Sequence, residues 1–216
     1  DPDVFGIPMV LLVGWRGEPG KHDEPQHVKQ GKVTLDLFAA IGVDALVLPD
    51  DEETALAAFA DVVERSRRTS SPVAVVVRSG TFGKYKLQRD TQTSFALSRE
   101  RAVQSLLDAI GDDAVVVATT GMTAREMFEH RVARGQSHRT DFRTVGCMGH
   151  ASQIALGIAL AQPARQVFCL DGDGAVIMHM GALAIVGSQR PRDLEHVVVN
   201  NGAHHSLGGE PPAGVV

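Results

Sequence analysis

The sequence predicts an α/β protein of two doubly wound parallel-sheet domains. Short apolar runs alternate with amphipathic helical stretches, which is the pattern of strands connected by crossover helices. A polar stretch with few aliphatic residues, 80–98, divides the alternation in two. Tight Gly-containing turns follow the later strands, at Thr119-Thr120-Gly121 and Gly172-Asp173-Gly174, where such folds collect ligands at the carboxyl ends of their strands.

Taken in order, Pro8 to Val13 is a continuous apolar run and reads as a buried strand. The segment after it, Gly14 through His27, is rich in Gly and Pro and contains the single Trp, and it reads as a long polar loop. Loops of this length at a strand's end often carry function. A helix is expected over Val33 to Ala40 and a short strand over Asp44 to Leu48. Asp50 to Arg68 is the clearest helix: Asp50 or Asp51 can cap it, Glu52 and Glu53 favour its positive end, and Arg65, Arg67 and Arg68 favour its negative end. Leu56, Phe59, Ala60 and Val63 mark its expected apolar face. Val73 to Val77 completes the first group as a buried strand.

Beyond the polar stretch, Ser98 opens a helix from Arg99 to Ile110, and Ala114 to Ala118 is the next strand. A helix from about Thr123 to Arg131 follows Thr119-Thr120-Gly121, and free backbone N–H groups at such a start suit a phosphate. The apolar stretch Ser152 to Ala161 reads as a helix and Val167 to Leu170 as a strand ending at Asp171. One amphipathic run to Glu195 then leads to the strand His196 to Val199.

Composition is that of an ordinary globular chain: 216 residues, 44% hydrophobic, 22% charged, formal net charge −5. Mild acidity without a basic stripe argues against nucleic acid as a partner. Cys147 and Cys169 are too few for a disulfide framework and read as two buried thiols in a reducing cytoplasm. No apolar run is long enough to span a bilayer, and no signal peptide opens the chain. A strand begins almost at once and the sequence stops soon after Asn201, so the expectation is an internal piece of a longer protein.

The chemistry concentrates between Gly172 and Ala203. Gly172 and Gly174 leave no Cβ where a diphosphate would approach the backbone. Asp173 offers a hard carboxylate oxygen and Asn201 a neutral amide oxygen to an ion such as Mg²⁺. A crossover between two parallel strands puts both at one sheet edge.

Gly-Asp-Gly followed, after one helix and strand, by Asn-Asn resembles the diphosphate-binding motif of thiamine-diphosphate enzymes. The resemblance implies a metal held by Asp173, Asn201 and the backbone carbonyl of Ala203. It also implies cofactor contacts from Thr120, Gly121, Gly172, Gly174 and Ala175, and from Met148 and Gly149, with Met148 supporting the bent cofactor from below. Gly14-Trp15-Arg16-Gly17-Glu18-Pro19-Gly20, Met148-Gly149-His150-Ala151-Ser152-Gln153, Met180-Gly181-Ala182-Leu183-Ala184 and Asn200-Asn201-Gly202-Ala203-His204 sharpen it. Together they are similar to the phosphonopyruvate decarboxylases, a family of thiamine-diphosphate-dependent 2-oxo acid decarboxylases. His205 and Glu210-Pro211-Pro212 depart from that pattern.

Carried over, the resemblance divides the chain into the C-terminal half of a pyrimidine-binding domain (1–90), a linker (91–98) and the first part of a diphosphate-binding domain (99–216). It implies thiamine diphosphate and Mg²⁺ as cofactors, a small 2-oxo acid as substrate, a cytoplasmic enzyme and at least a homodimer. The family's activating glutamate would precede residue 1, so the expected isolated fragment is inactive and no catalytic residue is assigned within it. A phosphonate needs cations or convergent donors; Arg16, Lys21, His27, His204 and His205 are nearest in sequence, with Gln26, His27 and His204 ranked first. Two alternatives keep the cofactor: sulfopyruvate decarboxylation, or acetolactate-type carboligation, for which the stretch 80–98 is too short to hold a flavin domain. A non-catalytic nucleotide-binding module is disfavoured because no Gly-x-Gly-x-x-Gly follows the first strand.

Overall fold

The computed structural model describes residues 2–85 and 95–202. The chain forms two compact units, 1–88 and 89–216, each built on an all-parallel sheet. The parallel-sheet α/β class read from the sequence is therefore what the chain adopts.

The first unit contains α1 (Pro2–Phe5), β1 (Met9–Gly14), α2 (His27–Ala40), β2 (Asp44–Val47), α3 (Glu52–Thr69) and β3 (Pro72–Val77). The strand order is β1-β3-β2. All six residues of β3 are buried, which is why its sequence is a continuous aliphatic run and not an alternation. Asp51 caps α3, its carboxylate accepting from the Thr54 amide at 2.9 Å and hydroxyl at 2.6 Å.

The face α3 buries differs from the expected one. Val62 and Ser66 are buried and Ala55 packs against the Leu48, Val73, Val75 and Val77 cluster, whereas Leu56 and Phe59 are exposed. Small residues win this face because the helix lies close to the sheet. Ser66 Oγ donates toward Met9 O (3.1 Å) and Ser71 O (2.8 Å), tying the helix end to β1 and to the start of β3. The second helix also begins earlier than expected, at His27. It packs so tightly on the preceding loop that a Cβ at Gly31 would lie 1.7 Å from Gly17 O, a position only glycine can fill.

The second unit contains α4 (Arg99–Ala109), β4 (Val115–Ala118), α5 (Met122–Ala133), β5 (Asp141–Arg143), α6 (Ala151–Ala161), β6 (Val167–Gly172), α7 (Asp173–Met178), α8 (Ala182–Gln189) and β7 (Leu194–Val199). Its sheet order is β5-β4-β6-β7. Alternate residues of β4 serve opposite faces: Val116 and Ala118 pack with Val103, Leu107 and Met127 from α4 and α5. Val115 and Val117 pack with Ala151, Ala155 and Ala159 from α6. Helices thus cover both faces of this sheet, as doubly wound folds require.

Two expectations are corrected here. The run from Gly174 to Glu195 is not one helix but α7 and α8, broken at His179–Gly181. Strand β5 was not expected, because Asp141-Phe142-Arg143 is short and polar; it pairs with β4 at the sheet's edge. Of the proposed linker, 91–94 lie outside the described residues, and Ser98 caps α4 by accepting from the Arg101 amide at 3.2 Å.

Candidate active site

The carboxyl ends of β4, β6 and β7 surround a cleft of about 420 Å³ built wholly from the second unit. In the register of the sheet, Gly172 pairs with Val199, so the turns that follow β6 and β7 start side by side. Asp173 and Asn201 both line the cleft. The Asp173 carboxylate accepts from the Gly174 amide (2.8 Å) and, across the two turns, from the Gly202 amide (3.0 Å). Gly202 N also faces Asn200 Oδ1 at 3.0 Å, which fixes the Asn-Asn turn. A carboxylate accepting only two backbone donors retains lone pairs for a cation.

The opposite wall comes from the end of β4 and the start of α5. Thr119, Thr120 and Gly121 line it, with Gly121 at φ +107 as the N-cap of α5. A Cβ added at Gly121 or Gly172 would meet no protein atom within 4 Å, so the backbone there is open to a large ligand. Thr119 is 4% exposed, and its Oγ1 is buried without a hydrogen-bond partner among the described residues. An orphaned buried hydroxyl in a cleft wall is a polar group awaiting a ligand. Met148 lines the cleft from the loop before α6.

Three further residues of the wall were not found from the sequence. Met122 contributes apolar surface and Arg125 a cation. Arg99 also lines the cleft, but its guanidinium grips Glu126, with Nε at 2.9 Å and Nη2 at 2.7 Å from the carboxylate. No spacing rule could have revealed them, since α4 and α5 meet the sheet only in three dimensions. Gly121 followed four residues later by Arg125, one helical turn into α5, is the one local signal that was there to read.

The remaining expectations fall elsewhere. Gly149 does not line the cleft but packs beneath α7. At φ +88 it would place a Cβ 2.7 Å from His179 Cδ2 and 2.8 Å from Ala175 O, so the position is closely packed. Gly174 and Ala175 line the cleft with Gly172. Ala203, His204, His205 and Glu210-Pro211-Pro212 lie outside the described residues.

Gln26 and His27 belong to the first unit, where a carboxylate already occupies the cationic groups. Asp23 meets Arg16 Nε at 2.9 Å and Nη2 at 2.6 Å, and His27 Nδ1 at 3.1 Å. The Arg16 contact first, and His27 second, hold the Asp23 carboxyl far below the usual carboxylate range. Gln26 sits at the N-cap of α2 without a side-chain cap bond, and Lys21 is exposed.

Beside the cleft, Asp171 is 1% exposed and accepts from the Gly172 amide (3.1 Å), with His196 Nε2 at 3.3 Å. Cys169 shares that face of β6, and its thiol is pushed up by burial first and by the Asp171 charge second. Cys147 is exposed, which corrects the expectation of two buried thiols. Its position in a loop with positive φ (39°), outside the helix-covered strands, accounts for the difference.

A parallel sheet that gathers a Gly-Asp-Gly turn, an Asn-Asn turn and a helix start around one cleft defines a class of protein. Residues 119–213 match the family described as thiamine pyrophosphate enzyme, C-terminal TPP binding domain. The chain is also 34% identical over 219 residues to phosphonopyruvate decarboxylase of Streptomyces viridochromogenes, covering 94% of this chain and 54% of the relative. The phosphonopyruvate decarboxylase of Streptomyces hygroscopicus matches at 34% over 94% of this chain and 53% of the relative. Sulfopyruvate decarboxylase subunit beta of Methanococcus maripaludis is 32% identical over 114 residues, 53% of this chain and 58% of the relative. The resemblance read from the sequence is thus borne out, and the chain spans about half the length of the curated relatives it matches. Among the described residues no helix is long and apolar enough to cross a membrane.

Proposed function

We propose that this chain is part of a thiamine-diphosphate- and Mg²⁺-dependent decarboxylase converting 3-phosphonopyruvate to phosphonoacetaldehyde and CO₂. The observation that carries the reading is the hydrogen bond from Gly202 to Asp173, which draws the turns after β6 and β7 together at one cleft. Asp173, Asn201 and the Ala203 carbonyl supply an all-oxygen donor set suited to a hard cation. Thr119, Thr120, Gly121 and Arg125 supply hydroxyl groups, open backbone and positive charge for the diphosphate that the cation would bridge. Met148 gives the apolar support on which the cofactor's rings would rest. When bound, the thiazolium supplies the electron sink that removing CO₂ from a 2-oxo acid requires. The chain's own work is to hold, orient and neutralise.

The substrate assignment is supported by the two phosphonopyruvate decarboxylases, 34% identical over 94% of this chain, whereas a sulfopyruvate decarboxylase matching the same share is 25% identical. The division into a pyrimidine-binding part and a diphosphate-binding part, the cytoplasmic setting and a homodimer or larger assembly belong to the same proposal. Turnover of the full-length protein on phosphonopyruvate, sulfopyruvate and pyruvate, with Mg²⁺ and thiamine diphosphate, tests it. Phosphonopyruvate should give the highest kcat/KM; equal values on all three would remove the phosphonate assignment.

A further inference from the structure

A second hollow, of about 520 Å³, opens where α7 breaks before α8. Among the described residues its polar side chains are His150, Gln153 and His179, its walls include Ile177, Met178 and Met180, and no carboxylate lines it. The rings of His150 and His179 lie 4.0 Å apart between centroids, tilted by 50°. His150 Nδ1 faces Cys147 O at 3.2 Å; a carbonyl only accepts, so that nitrogen carries the proton and Nε2 remains for a ligand. The His179 ring rests on the Gly149 backbone, which a Cβ there would strike. Gln153 Nε2 donates to Ala182 O at 3.1 Å and so braces the start of α8 beside the pair.

An oxyanion seated in the hollow would face both rings, and an imidazolium donates a charge-assisted bond to such a group. The apolar residues around the pair suit a ligand whose anion sits on a short carbon chain. The hollow is tied to the cleft along the chain: Met148, two residues before His150, lines the cleft, and His179 directly follows the helix that Asp173 begins.

We propose that His150 and His179 bind the second acid group, the phosphonate, of the 2-oxo acid substrate and so set its class. This inference rests on the decarboxylase reading above. Its test uses the full-length enzyme loaded with Mg²⁺ and thiamine diphosphate, compared with His150→Gln, His179→Ala and the milder His179→Asn. Each variant should lower the ratio of kcat/KM for phosphonopyruvate to that for pyruvate, chiefly through KM. A loss of roughly 30-fold for His179→Ala corresponds to one charge-assisted hydrogen bond. Cofactor affinity, measured separately by fluorescence titration, should change less than about 2-fold, well below one hydrogen bond's worth.

In the wild-type protein, methylphosphonate should shift the imidazole NMR signals of both residues and methanesulfonate should not. An unchanged substrate ratio in all variants, or imidazole signals indifferent to methylphosphonate, would overturn the inference. Equal response to both anions would overturn the phosphonate choice. If the wild-type protein binds no thiamine diphosphate at all, the decarboxylase reading itself fails, which is a separate result.

Discussion

The loop after β1 and the cleft after β4, β6 and β7 both sit at carboxyl ends of parallel strands and both carry charge, yet they treat it differently. In the loop, Arg16, Asp23 and His27 satisfy one another, and Asp23 also accepts from the Gly17 amide at 2.6 Å. Glu18 Oε1 is met by Arg78 Nε at 3.1 Å, while its Oε2 is buried without a described partner. In the cleft, among the described residues, Asp173 is met only by backbone amides, and Thr119 Oγ1 is buried with no partner. The loop's charged side chains thus pair mostly with one another, whereas the described donors to the Asp173 carboxylate are backbone amides. Sequence position alone ranked Gln26, His27 and His204 first for the substrate; of these, His27 contacts Asp23 and Gln26 makes no side-chain cap bond.

The sharpest way to break the contrast is to remove the proposed metal donors. Asp173→Ala and Asn201→Ala should each lower Mg²⁺-dependent thiamine diphosphate affinity by about 100-fold or more, exceeding the roughly 10–100-fold typical of outer-shell changes. Arg16→Ala and His27→Ala should leave it nearly unaltered, and titration calorimetry on the full-length protein reads both. Thr119→Val comes next: it should weaken cofactor binding by about 10-fold, as expected for one hydrogen bond to a charged group. Without cofactor, thermal unfolding of that variant should occur at or slightly above the wild-type temperature, since it removes a buried hydroxyl that bonds to nothing. A lower melting temperature would mean that the hydroxyl has a partner within the protein.

Asp23→Asn probes the self-closed loop. A carboxyl held below its unfolded value near 3.9 contributes stability that is present above that value. That contribution is lost as pH falls through the lower folded value. At neutral pH the Gly17 amide should therefore exchange faster in the variant, and the two proteins should converge in strong acid once Asp23 is protonated. Indifference at neutral pH would show that the loop does not depend on its ion pairs. The smallest effect concerns the thiols: a mild alkylating reagent should label Cys147 in the native protein, and Cys169 only after unfolding.

Much of this was legible in the sequence because burial on both faces of a parallel strand leaves an unbroken aliphatic run. β3, β4 and β6 announce themselves that way, and the Asp51 and Ser98 caps mark two helix starts. The equally aliphatic β1 is not the buried strand its sequence suggests: it ends the strand order β1-β3-β2, with Met9 and Leu12 exposed. What escaped was decided by packing. The buried side of α3 is chosen by how near the sheet lies, so Ser66 displaces Phe59 from it. The break between α7 and α8 interrupts a run whose polarity continues smoothly across it. Asp173 and Asn201 were visible because each sits in a turn of characteristic residues. Arg99 and Arg125 were not, because helices that meet only after folding place them in the wall.

The strand order has a consequence in time. β4 touches β6 directly, although the partners Val115 and Val167 are separated by two helices and the edge strand β5. Parallel pairing across such intervals is slow, since chain entropy is surrendered well before the contacts that offset it exist. The cavity can form only after β4, β6 and β7 have aligned. During refolding, capacity for the cofactor should accordingly return with the slowest phase, later than the helical signal.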